Sequence, residues 1–135
     1  MRKVIFVALI MAALLIELGC TRGELIGLRD NSIDFEAQGF TKMRTTAYYM
    51  GHHTANGSAV HIGGCACSPD HIGDVAIVYS LDGQFLGYYE CNDTGLEGVN
   101  RGTILDVYRT NYTQCRSWMQ LTGGRVWVKW IEGAG

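Results

Sequence analysis

From Arg44 onward the chain is dominated by short runs in which apolar and polar positions alternate, the repeat of half-buried strands. "RTTAYYM" (44–50) carries the β-branched and aromatic residues of a first strand. "GHHTANGSAVHIGG" then supplies turn residues around a short extended piece. "DVAIVYS" and "QFLGYYEC" flank Leu81-Asp82-Gly83, and an Asp-Gly step between two apolar runs predicts a hairpin, because glycine tolerates positive φ. In "TILDVY" the strand repeat puts Ile104 and Asp106 on one face and Leu105 and Val107 on the other. In the closing run "RVWVKWI", Val126, Val128 and Trp130 alternate against Trp127, Lys129 and Ile131. The period changes once. Asn111 is placed to cap a helix with Gln114 three residues on, and Cys115, Trp118 and Met119 recur at helical spacing before Gly123 and Gly124. Six or so short strands with one short helix predict a small closed barrel, a form that leaves no exposed edge.

The amino end has a different texture. Arg2 and Lys3 precede the apolar run Val4 to Ile16, whose 13 residues read as an export signal and are short for a membrane span. Cys20 follows Leu18-Gly19 in the manner of a lipidation site, while Glu17 stands where that motif wants an apolar residue. Lipidation at Cys20, simple cleavage and an uncleaved anchor are the three outcomes this allows. Residues 21 to 43 carry Gly, Asp, Asn, Arg and Glu with isolated apolar positions such as Leu25, Ile26, Ile33 and Phe35, the texture of a linker or lead-in. The expected organisation is a signal over 1–20, a linker over 21–43 and one domain over 44–132. The expected location is the cell envelope or the exterior, with the N-terminal segment as the only contact with a membrane.

Charge and cysteine content narrow the chemistry. A formal net charge of −2 with scattered basic residues gives no stripe to follow a phosphate backbone, so nucleic acid is not expected as a partner. Four cysteines lie beyond the signal: Cys65, Cys67, Cys91 and Cys115. An even number in an oxidising exterior suggests disulfides, with three connectivities open. Cys65 and Cys67 are too close to pair readily, so bridges are expected from that pair to Cys91 and Cys115. A metal site from Cys65, Cys67 and His61 or His52 is the rival, but C-x-C is not the spacing of structural zinc, and no metal is expected.

The stretch "NDTGLEGVNRGTILDVY" holds the candidate chemistry. Asp93 begins an Asp-Thr-Gly turn that would set its carboxylate at a strand end near the barrel mouth, or it makes only a local turn with its own backbone. Asp106 interrupts a strand, where aspartate is disfavoured and costly to bury without partners, unless it faces outward. Two carboxylates facing one cleft would repel, raising one pKa and leaving an acid beside an anion near neutral pH, an arrangement suited to breaking a glycosidic bond. Tyr48, Tyr49 and Tyr88 are candidates for stacking on sugars or for core packing. His52, His53 and His61 read as surface or loop residues.

Four runs in order, "TAYYMGHHTANGSAV", "ACSPDHIGDVAIVY", "YYECNDTGLEGVNRGTILDVY" and "RVWVKWI", together resemble the three-aspartate (3D) domain over residues 44 to 131. That family includes the catalytic barrel of membrane-bound lytic transglycosylase A and related domains of Gram-positive cell-wall proteins. The resemblance implies a mainly β fold, a small six-stranded double-psi β-barrel with one short helix, acting on peptidoglycan glycan strands without metal or other cofactor. Asp93 falls on the family's catalytic aspartate and Asp106 on the last of its three. Thr46, Ala47 and Tyr48 match the opening strand, and Thr54 to Gly57 the turn after it. Ser68-Pro69 stands where the family has its first aspartate, with Asp70 and His71 as nearby substitutes. The turn reads Thr-Gly-Leu-Glu-Gly rather than Thr-Gly-Gly, two residues longer. Expansin-like and rare-lipoprotein-A barrels share the architecture. The implied reaction cleaves between N-acetylmuramic acid and N-acetylglucosamine and closes a 1,6-anhydro ring. Asp93 would donate a proton to the glycosidic oxygen and then take one from the C6 hydroxyl, while Asp106 supports it. Tyr48, Thr94, Gly95 and His71 are expected at the substrate, and a monomer is expected. The alternative is a non-catalytic, expansin-like glycan-binding or wall-loosening module.

Overall fold

Six strands close on one another in the order β1-β5-β2-β4-β3-β6, so that β6 returns to β1. They run over Thr41–Tyr48 (β1), Gly64–Ala66 (β2), Val75–Ser80 (β3), Phe85–Asp93 (β4), Ile104–Tyr108 (β5) and Arg125–Ile131 (β6). The structure is a computed structural model that describes residues 32–133. The export signal, Cys20 and residues 21–31 of the 21–43 segment lie outside the described residues. β1 with β5 and β2 with β4 are parallel pairs; all other neighbours are antiparallel. A parallel pair needs a crossover, and the two in this small barrel are consistent with the double-psi form. The expectation of a small, mainly β, six-stranded barrel is met.

Alternation drives the closure. Val78, Leu105, Val107 and Val126 have no exposed surface and meet Met43, Cys65, Cys91 and Val128 inside the barrel. Each such side chain contributes about 1.5–3 kcal/mol by leaving water. The predicted β3–β4 hairpin forms, with Gly83 at φ +90° and the Gly83 N–H donating to the Ser80 carbonyl at 3.1 Å.

The main helix, α2 (Tyr112–Thr122), follows a single helical turn, α1 (Glu97–Asn100), and a 3-10 turn at Pro69–His71. Its cap is the predicted one: Asn111 Oδ1 accepts the Gln114 N–H at 3.0 Å and Gln114 Oε1 accepts the Thr110 N–H at 3.2 Å. Gly123, left-handed at φ +59°, ends it. Trp118 enters the core from this helix, its indole N–H donating to Thr45 Oγ1 at 3.0 Å, and Thr45 in turn donates to the Leu105 carbonyl at 2.9 Å. No helix among the described residues is long and apolar enough to cross a membrane.

The packed unit starts before Arg44. Phe35 is buried against Phe40, Tyr79 and Trp127, with ring centres 5.2 to 5.4 Å away. β1 begins at Thr41 because residues 41–44 pair with β6, although Thr41 and Lys42 are exposed and carry no apolar signal. Cys67 and Cys91 form a disulfide with Cα atoms 5.9 Å apart. A second bridge to Cys115 is not formed, and Cys65 and Cys115 are buried free thiols. Cys65 belongs to the barrel core, whereas Cys115 sits on α2 in a cleft with Ala47, Tyr49 and Met119.

Candidate active site

The register puts four residues side by side on one ladder. Thr46 of β1 stands opposite Asp106 of β5, Asp106 opposite Ala66 of β2, and Ala66 opposite Asp93 of β4. Asp106 lies between the wholly buried Leu105 and Val107, so by alternation it points away from the core. Asp93 reaches the same face only through a bulge. Cys65 pairs with Cys91, but Ala66 pairs with Asp93, which leaves Asn92 as an extra residue in β4. Were Asn92 in regular alternation with Cys91, Asp93 would turn inward. The aspartates therefore face out from the barrel together, Asp93 as the last residue of β4, with the bulge setting its direction.

The surroundings of the two carboxylates differ. Asp93 Oδ1 accepts the N–H groups of Ala55 and Thr94, each at 2.9 Å, and Oδ2 accepts the Tyr48 hydroxyl at 3.3 Å. The Ala55 donor comes from a turn in which the Gly57 N–H donates to the Thr54 carbonyl at 2.9 Å, and the Asn56 N–H fastens that turn to the Asn92 carbonyl at 3.1 Å. Asp106 Oδ1 accepts one bond, from Thr46 Oγ1 at 2.8 Å. Burial, and secondarily the charge of Asp93, push the Asp106 carboxyl above the usual carboxylate range, against the Thr46 bond that favours the anion. Burial, then the neighbouring Asp93 charge, push the Tyr48 phenol well above its ordinary value, so it remains a donor at neutral pH. Among the described residues no ion pair involves Asp93 or Asp106.

Of the residues expected at a substrate, Tyr48 and Thr94 bond Asp93 directly, and the Gly95 N–H donates to Asn100 Oδ1 of α1 at 3.0 Å. A Cβ on Gly95 would sit 3.1 Å from the Val99 side chain, which would have to give by a few tenths of an ångström, so glycine lets the turn close tightly onto α1. His71 is turned elsewhere: its Nδ1 lies 2.9 Å from Asp74 Oδ2 and its ring stacks on Trp130, 4.2 Å between centres. Its hydrogen bond, with one from the Gly133 N–H, holds the Asp74 carboxyl below the usual range. Ser68 lies by Gly102, where a Cβ would meet its own at 3.7 Å. Tyr49 packs near Tyr112, and Tyr88 is exposed beside Phe85. Tyr49 and Tyr88 are thus away from the row. His61 Nε2 lies 3.2 Å from Asn92 Nδ2 and 3.4 Å from Glu90 Oε2, while His52 and His53 are exposed. Among the described residues no three His, Cys, Asp or Glu are grouped to hold a metal. The Ala55 N–H had no signature in the sequence, since any residue supplies one; Thr46 had only its place in the opening strand.

Two clefts of about 460 and 510 Å³ flank α2, and neither includes the aspartates. Compared with known proteins, the chain matches no family model and no curated protein.

Proposed function

We propose that the row Thr46–Asp106–Ala66–Asp93 is the catalytic face of an enzyme that cleaves peptidoglycan between N-acetylmuramic acid and N-acetylglucosamine, as a lytic transglycosylase does. The observation that carries this reading is the inequality of the pair: a carboxyl pushed toward its protonated form stands near an anchored carboxylate. Two strand spacings, about 9.5 Å between backbones, separate them, with Ala66 of β2 between.

In this scheme Asp106 donates its proton to the glycosidic oxygen as the bond to the muramyl C1 breaks. The C6 hydroxyl attacks C1 and closes the anhydro ring, its proton passing to Asp93 and from there back to Asp106 by exchange with solvent. The division of labour differs from the single-aspartate scheme that the family resemblance implies for Asp93. The Tyr48 hydroxyl and the Thr94 N–H orient Asp93 rather than react. An export signal and a disulfide both suit work at the cell wall.

A non-catalytic, expansin-like module is the second reading, favoured by Ser68, a hydroxyl where the family carries its first carboxylate. Digestion of purified sacculi followed by mass spectrometry for anhydromuropeptides separates the two. Asp106→Asn and Asp93→Asn are each expected to reduce products by about a hundredfold or more. No anhydro product from the parent protein rejects the enzyme, and undiminished product from Asp106→Asn rejects it as the donor. Binding to sacculi without products supports the module.

A further inference from the structure

We propose that the cleft between α2 and the end of β5 holds the acidic peptide carried by a muramyl sugar, with Arg109 as the receptor for one of its carboxylates. This rests on the cleavage reading above, because attachment to a sugar bound at the row is what would bring the peptide there.

Arg109 is the first residue after β5, and its backbone N–H donates to the Tyr48 carbonyl at 2.8 Å. Its guanidinium is held from several sides. The carbon lies 4.5 Å from the Trp118 ring centre and 5.5 Å from that of Tyr89, one nitrogen donates to the Tyr108 carbonyl at 2.8 Å, and another to Tyr89 Oη at 2.9 Å. Both acceptors are neutral. Among the described residues no carboxylate pairs with this cation. A guanidinium has five N–H groups and does not lose its charge, so three donors and a full positive charge remain on a half-buried, pre-oriented fork.

The fork faces a cleft of about 460 Å³ whose other walls are Ile62, Tyr89, Trp118 and Leu121, with Gln114 and Ser117 as polar neighbours. Aromatic and aliphatic walls around one unpaired cation complement an oxyanion borne on a chain with apolar parts, and the planar fork favours two parallel bonds to a carboxylate. Its position fits a branched substrate. Arg109 lies three residues beyond Asp106, about 10 Å along the strand direction, and on the opposite face, against Trp118 and Tyr89, so a peptide joining the row to the cleft passes round the end of β5. An extended peptide of four or five residues, about 13–18 Å long, allows for that turn.

The test uses the full chain carrying Asp93→Asn, so that binding is read without cleavage. Calorimetric titrations compare three probes: the peptide released from sacculi by an amidase, the same peptide with its carboxylates amidated, and inorganic phosphate. The free peptide is expected to bind, the amidated peptide and phosphate at least about tenfold more weakly, and Arg109→Gln to cost the free peptide at least about tenfold, with Arg109→Lys in between. Equal binding of the free and amidated peptides, or phosphate binding as tightly as the peptide, overturns the proposal. If Arg109→Gln does not fold, the amidated peptide still decides. Peptide binding with no anhydro products from sacculi would reject the enzyme reading and leave the cleft; products with no peptide binding would do the reverse.

Discussion

Reduction of the Cys67–Cys91 disulfide is the most quantitative perturbation the structure offers. The bridge joins the residue after β2 to β4 across a sequence separation of 24, so it closes a loop of about 25 residues. Loop-closure entropy for that length is about −12 cal/mol/K, or about 3.5 kcal/mol at 25 °C withheld from the unfolded chain. Both sulfurs are buried, and reduction leaves them in place, so the core loses almost no volume and the entropic effect dominates. For a domain of this size 1 kcal/mol corresponds to roughly 4–8 °C, which places the expected fall in melting temperature at about 14–28 °C. Urea unfolding with and without a phosphine reductant, followed by tryptophan fluorescence, gives the free energy directly. The bridge also lies beside the site, because the Cys67 N–H donates to the Asp93 carbonyl at 3.0 Å. A loss below about 1 kcal/mol would refute the reasoning, as would a Cys67→Ala/Cys91→Ala protein as stable as the oxidised parent.

Three further outcomes are expected. Because burial raises the Asp106 carboxyl, the native state holds its proton to higher pH than the unfolded chain, and ionising Asp106 costs stability as pH rises between the unfolded and folded values. Asp106→Asn removes that cost, so melts from pH 3 to 7 should show its stability relative to the parent improving with pH; a constant or shrinking difference contradicts the assignment. Tyr48→Phe removes the hydroxyl that bonds Asp93 and should lower the rate of sacculus digestion about tenfold with little change in the melt; a parental rate would show that this bond does not position Asp93. A Cβ at Gly64 would lie 3.0 Å from Asn92 Nδ2 and 3.2 Å from the His61 carbonyl, so Gly64→Ala should destabilise by about 1–3 kcal/mol in urea unfolding, and a neutral substitution would mean that the bulge is looser than described.

Elements with several alternating or capped positions were legible before the fold was known. The β3–β4 hairpin follows from Asp82-Gly83, α2 from Asn111 and Gln114, and the outward face of Asp106 from its neighbours Leu105 and Val107. What escaped was short or relational. β2 is the three-residue run Gly64–Ala66, too brief to show a period, and it is a strand because β4 and β5 lie on either side of it. α1 is four residues held by tertiary contact, and a single turn has no periodic signature. Phe35 looked isolated within a polar segment because its partners, Tyr79 and Trp127, lie far along the chain. At the site the two aspartates could be named, but their common face could not be, since an extra residue in a strand shows only when the opposite strand is known. The partner of Cys67 belonged to the same class, being one of several equal pairings until β2 and β4 were set side by side.

The bulge at Asn92 takes one extra residue into β4 without turning Asp93 inward. Replacing Asn92 by another side chain keeps the bulge and leaves Asp93 facing outward, and deleting it would return β4 to strict alternation with Asp93 next after the inward Cys91, so the carboxylate would still face outward opposite Ala66. A scan of single substitutions would therefore report Asn92 only through its packing. Shortening the strand by that residue would instead remove the Asn92 carbonyl that holds the Asn56 N–H, so the placement of the Ala55 donor, rather than the direction of the carboxylate, is what the extra residue secures.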